Sequence, residues 1–167
     1  MKAAGVLLVL VGALAVQTTI SGMTLGGARM VNLVLVAVVY VALLYGPIAG
    51  LMAGTVGGLV QDALAGGVVG IGSLSKTVIG FLTGLLGANF IVAQPLPRLV
   101  MFLGATAVHE VCFQALFAVV EARPFRVQAW PLATQAAING AVGLVAFFVV
   151  EQVPGILQRR RARRGRY

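Results

Sequence analysis

Apolar residues run along this chain in long blocks, broken only where Gly, Pro, Arg and Gln collect. The blocks predict six helices, at residues 3 to 20, 30 to 45, 47 to 64, 71 to 92, 98 to 120 and 131 to 152. About 20 residues of α-helix cross a hydrocarbon core at about 1.5 Å of rise each. The expected fold is therefore an all-α membrane bundle of about six transmembrane helices. Only Tyr45, Gly46 and Pro47 separate the second block from the third. A fused helix would hold about 35 residues and reach roughly 52 Å, far beyond a bilayer, and proline suits the first turn of a new helix.

Composition removes the soluble alternatives. Of the 167 residues, 60% are hydrophobic and 10% charged, with a mean hydropathy of +1.03. A soluble domain carries about 25% charged residues. Lys2 and the run from Ala3 to Val16 have the outline of a signal peptide. The run continues to Ile20 and further apolar blocks follow at once, so it is read as the first helix. The single cysteine, Cys112, excludes an intrachain disulfide.

The domain expected is one transmembrane unit over residues 1–157, followed by a basic tail over 158–167. That tail holds six arginines, QRRRARRGRY. An even number of spans places both termini on one side, and the positive-inside bias makes that side the cytoplasm. Lys2 and Arg98 fall on the same side, whereas Arg29, Arg123 and Arg126 fall outside. The tail fixes orientation and attracts anionic lipid headgroups. Nucleic acid is not an expected partner, because no aromatic residues interleave the charges.

Charge inside the blocks is rare, and an ionisable group at membrane depth is costly unless it is paired or faces a cavity. Asp62 lies near the outer end of the third helix and Lys76 near the start of the fourth, across a connection containing Gly66, Gly67, Gly70 and Gly72. Three roles are open to them: a charge pair, direct or bridged; separate duties, with Lys76 snorkelling to the interface and Asp62 capping nearby backbone; or substrate contact. Gly46, Gly50, Gly54, Gly57 and Gly58 recur at intervals of three and four along the third helix, and Gly80, Gly84 and Gly87 along the fourth. Such stripes permit close helix approach in lipid, here to each other, to a neighbour or to a second copy of the chain.

Glu110 sits near the middle of the fifth helix and should not face lipid as an anion. Thr106 and Gln114 lie one turn to either side of it, forming a polar strip, with His109 about 100° away around the helix. In the sixth helix Gln135 and Asn139 are likewise four apart and complete a candidate hydrogen-bonded layer. An internal network is the expected role, and a ligand or partner site the competing one.

Motifs of catalysis are missing where they would inform. His109 and Glu110 begin like HExxH, but the second histidine position holds Phe113. No glycine-lysine-hydroxyl phosphate loop occurs, and one His, one Cys and four acids make a poor set for a transition metal. Neither enzyme activity nor a cofactor is expected.

Between Gly54 and Gly84 the chain has glycines leading into GLVQD, Gly70 eight residues after Asp62, Leu74 within GSLSKT, and then Gly80, Phe81 and Gly84. In this pattern the chain resembles the MreD family of bacterial rod-shape proteins. The resemblance implies a non-catalytic, multi-pass plasma-membrane scaffold of the elongation complex. It would bind MreC, a one-span protein, and through it meet RodA, its transpeptidase partner and MreB. It also implies a fold similar to the substrate-binding subunits of energy-coupling-factor vitamin transporters. The groove expected for the MreC helix lies over Gly54 and Gly58, with Asp62, Lys76 and Glu110 supporting its walls. The runner-up is such a vitamin-binding subunit. Against it, Ala13 is followed four positions later by Gln17 rather than alanine, and the outer loops are short.

Overall fold

The computed structural model describes residues 2–20, 24–25, 28–29, 31–66, 68–90 and 94–152. The basic tail lies outside the described residues. Six α-helices follow in order: α1 (Lys2–Ile20), α2 (Leu33–Tyr45), α3 (Pro47–Ala65), α4 (Ile71–Asn89), α5 (Pro95–Val120) and α6 (Ala129–Phe147). A short antiparallel ladder between Thr24–Leu25 (β1) and Ala28–Arg29 (β2) joins α1 to α2, and a π-helical turn, Phe148–Gln152, continues α6. The all-α fold and the six helices match expectation. Four helices, α3 to α6, are long and apolar enough to cross a membrane.

The second helix departs from the expected span. It has 13 residues, about 20 Å of helix, and is too short to cross a hydrocarbon core of about 30 Å. Its sequence, LVLVAVVYVALLY, has no polar face, and every residue from Val34 to Ala42 is buried. A helix that is apolar all round belongs inside a bundle. Here α2 contacts each of the other five α-helices. Its partners turn large apolar side chains outward, among them Leu8 on α1, Met52 on α3, Leu82 on α4 and Val119 on α5. That surface suits lipid, and the protein is a multi-pass membrane protein.

Ending a short helix inside a bundle leaves first-turn N–H groups away from water, where each needs a partner. Asn32 supplies one by capping α2, its Oδ1 accepting from Leu35 N at 3.1 Å. Gln17 Oε1 of α1 accepts from Leu33 N at 2.7 Å, and Asn139 Oδ1 of α6 accepts from Asn32 N at 3.0 Å. Asn139 Nδ2 then donates to Thr106 Oγ1 at 3.2 Å, tying in α5. Asn139 is fully buried, so this layer is internal, as expected of Asn139.

The α3–α4 pair is the tightest in the molecule. Gly50 lies on the backbone of Gly80, Gly54 on that of Lys76 and Thr77, Gly58 on Ser73, and Gly84 on Pro47. A Cβ at any of these four would come within 3.0 Å of backbone atoms of the opposing helix. The stripe therefore serves packing within the chain. This corrects the expected groove over Gly54 and Gly58, since α4 already occupies the surface a partner helix would need. Hydroxyls reinforce the seam: Thr55 and Thr77 Oγ1 lie 2.9 Å apart, and Ser73 Oγ donates to Thr55 O at 2.9 Å.

Matched pairs along these seams make α3 antiparallel to α4 and α2 antiparallel to α3. The α5–α6 seam is antiparallel too, with Gly143 against Phe102, Asn139 against Thr106, and Arg98 lying 4.0 Å from the ring centre of Phe147. One end of the bundle gathers Gly46, Gly84, Arg98 and Phe147. The other gathers Asn32, the α3–α4 turn and the α5–α6 connection, and it holds the cavity described next.

Candidate functional site

Between the α3–α4 pair and the α5–α6 pair lies a cavity of about 560 Å³, open at one end of the bundle. Its wall includes Asn32, Gln61 and Asp62, then Ile71 and Lys76, then His109, Glu110, Phe113, Gln114 and Phe117 from α5, and Leu132 and Gln135 from α6. Arg126 and Gln128, both exposed, stand in the α5–α6 connection at its edge.

Asp62 takes the capping role. The left-handed Gly70 (φ 111°) precedes α4 and offers no side chain to cap it. The carboxylate of Asp62 reaches across from α3 instead, and its Oδ2 accepts from Gly70 N at 2.9 Å and Ser73 N at 3.0 Å. An anion at a helix N-terminus meets both the free N–H groups and the positive end of the helix dipole. Gly72 leaves room for it, because a Cβ there would collide with Oδ1.

Lys76 does not snorkel: it is 3% exposed, and its Nζ donates to Gly72 O at 3.3 Å within α4. The physical reason is position, since one turn into α4 its stem is enclosed by α3 and by the cavity wall. Glu110 is half-buried in that wall and turned from lipid, with Gln114 Nε2 donating to its Oε1 at 2.8 Å. Gln135 is buried in the same wall. Gly54, Gly58, Gly80 and Gly84 stay outside the cavity, in the seam behind it.

Two wall residues were not singled out by sequence as site candidates. His109 lies only 100° from Glu110, yet the cavity face of α5 is wide enough to include both. Its ring stacks with Phe113 at 6.0 Å and Phe113 with Phe117 at 6.0 Å, a three-ring ladder at helical spacing. Gln61 is 6% exposed and donates weakly to Asn32 Oδ1 at 3.5 Å. Gln61 Oε1 and both His109 ring nitrogens are buried without a hydrogen-bond partner among the described residues. An unpartnered buried polar group costs about 1–3 kcal/mol. The signal for Gln61 was its place in GLVQD beside Asp62, and for His109 its i, i+4, i+8 register with Phe113 and Phe117.

No group of three or more His, Cys, Asp or Glu side chains is placed to hold a metal among the described residues. The wall offers binding chemistry instead: acids, bases and amides around an aromatic ladder. Residues 1–149 match the family model described as 5TMR of 5TMR-LYT. No curated protein and no solved structure matches the chain.

Proposed function

The chain belongs to the 5TMR of 5TMR-LYT family, a five-transmembrane domain family, and on the separate ground of its sequence resemblance to the MreD family we propose that it is a non-catalytic scaffold of the cell-elongation complex in the bacterial plasma membrane. In this reading the protein binds the juxtamembrane part of MreC and, through it, influences peptidoglycan synthesis and cell shape. RodA, its transpeptidase partner and MreB are met indirectly.

The observation that carries the reading is the polar cavity opening at one end of the bundle. Nearly all the residues behind the MreD resemblance lie in the α3–α4 hairpin that forms one wall of it. With the arginine tail held in the cytoplasm, the cavity opens on the outer face, where MreC leaves the membrane. The binding surface for MreC is then the cavity mouth, beside Arg126, Gln128 and Gln114. Holding MreC there restricts its orientation and so biases which state of the synthase complex is populated.

Co-purification from native membranes tests the proposal. Tagged protein is expected to retain MreC, and Arg126→Glu is expected to weaken retention without changing thermal stability, because Arg126 is exposed. Wild-type protein that is folded but brings down no MreC overturns it.

A further inference from the structure

We infer that the cavity is a binding site for an uncharged, hydroxyl-rich molecule with an apolar face, a saccharide or a saccharide headgroup. The inference goes beyond the partner reading and does not depend on it. Three observations converge on this chemistry.

The unpartnered atoms come first. Gln61 Oε1 only accepts, whereas a histidine ring, such as that of His109, always carries at least one N–H that donates. Together they ask for a guest that both donates and accepts at short range. A hydroxyl does both. A carboxylate only accepts and an ammonium only donates, so neither satisfies the set. Both side chains are more than nine-tenths buried and both stand in the cavity wall.

Formal charge comes next. Asp62 and Glu110 face the cavity along with Lys76 and Arg126, two acids against two bases, so the wall has no excess of either sign to select an ion. Asp62 is moreover committed to the backbone of α4, and Glu110 to Gln114.

Shape is the third. The His109, Phe113 and Phe117 ladder gives one wall a row of aromatic surface, against which the C–H face of a sugar ring packs while its hydroxyls reach the amides opposite. A volume of about 560 Å³ lies inside the range of roughly 300–1,000 Å³ typical of small-molecule sites. The open end lets a free saccharide enter from solvent or a lipid-linked one from the headgroup region.

The test uses the whole chain in phosphatidylcholine nanodiscs, which contain no glycoside. Trp130, the single tryptophan, adjoins Pro131 of the cavity wall and reports binding by its fluorescence. The probes are N,N′-diacetylchitobiose as the free saccharide, glucosyl-diacylglycerol built into the disc as the lipid-linked one, and inorganic phosphate and glycine betaine as charged comparators. Saturable binding of either saccharide, accompanied by a rise in unfolding temperature, is expected. Response to the free sugar identifies a solute site, and response to the glycolipid alone a headgroup site.

Gln61→Met and His109→Phe keep the volume and remove the unpartnered atoms, and each is expected to weaken saccharide binding about tenfold. Phe117→Ala, at the half-exposed end of the ladder, gives a third reading if a buried variant fails to fold. Silence toward both saccharides, a stronger response to phosphate or betaine, or wild-type affinity in the folded variants overturns the inference. None of these outcomes bears on whether MreC co-purifies.

Discussion

Asp62 caps a helix that is not its own: its Oδ2, on α3, accepts from the backbone N of Ser73 in the first turn of α4 at 3.0 Å. One carboxylate thus fixes the α3–α4 turn at the cavity wall. Removing it in Asp62→Ala is expected to cost about 0.5–2 kcal/mol, the range for lost caps, with Asp62→Asn milder because its amide oxygen still accepts. Thermal unfolding in nanodiscs measures this. An unchanged unfolding temperature together with lost partner binding would return Asp62 to a functional role.

Glycines on this scaffold divide by what lies over them. Gly80 faces the backbone of Gly50, so Gly80→Ala forces the helices apart and is expected to destabilise by about 1–3 kcal/mol, as overpacked sites do. Gly104 has nothing within 4 Å of an added Cβ. Gly104→Ala is expected to be neutral or slightly stabilising, given alanine's helix propensity. Equal losses at the two positions would refute the packing assignment.

Asn139 bridges α2 and α5 from α6. Asn139→Leu strips the partner from Asn32 N–H and is expected to cost about 1–3 kcal/mol. Thr106→Val removes one hydroxyl from the same layer and is expected to cost less, because Asn139 Oδ1 keeps its bond to Asn32 N. Unfolding curves of the two variants and the double variant separate the contributions by their coupling.

Much of this architecture could be read from residue order, for identifiable reasons. Gly46–Pro47 marked the α2–α3 break because proline suits a first turn and glycine the positive φ of 88° before it. The internal place of Glu110, Gln135 and Asn139 followed from the cost of bare polar groups in lipid. Less legible was α2, where a buried helix and a span share one apolar signature and only the count of 13 residues separates them. The glycine stripes showed that close approach occurs without naming the neighbour, and that choice depends on tertiary contacts. His109 was hidden by the 100° rule, which treats a cavity wall as narrower than the face α5 presents.

Orientation can be measured with one thiol. In a Cys112→Ser background, Phe125→Cys in the exposed α5–α6 connection is expected to react with a membrane-impermeant maleimide applied outside intact cells. Leu96→Cys, exposed at the opposite end of α5, is expected to be protected until the cells are opened. The reverse pattern would put the cavity mouth in the cytoplasm and the arginine tail outside.

The scaffold reading rests on one physical association, and co-purification of MreC with the tagged chain from native membranes measures it. Retention of MreC by the wild type, about tenfold less by Arg126→Glu and full retention by the lipid-facing Leu82→Ala, is the expected result. A folded wild-type protein that retains no MreC, and above all one that carries a vitamin instead, would contradict it.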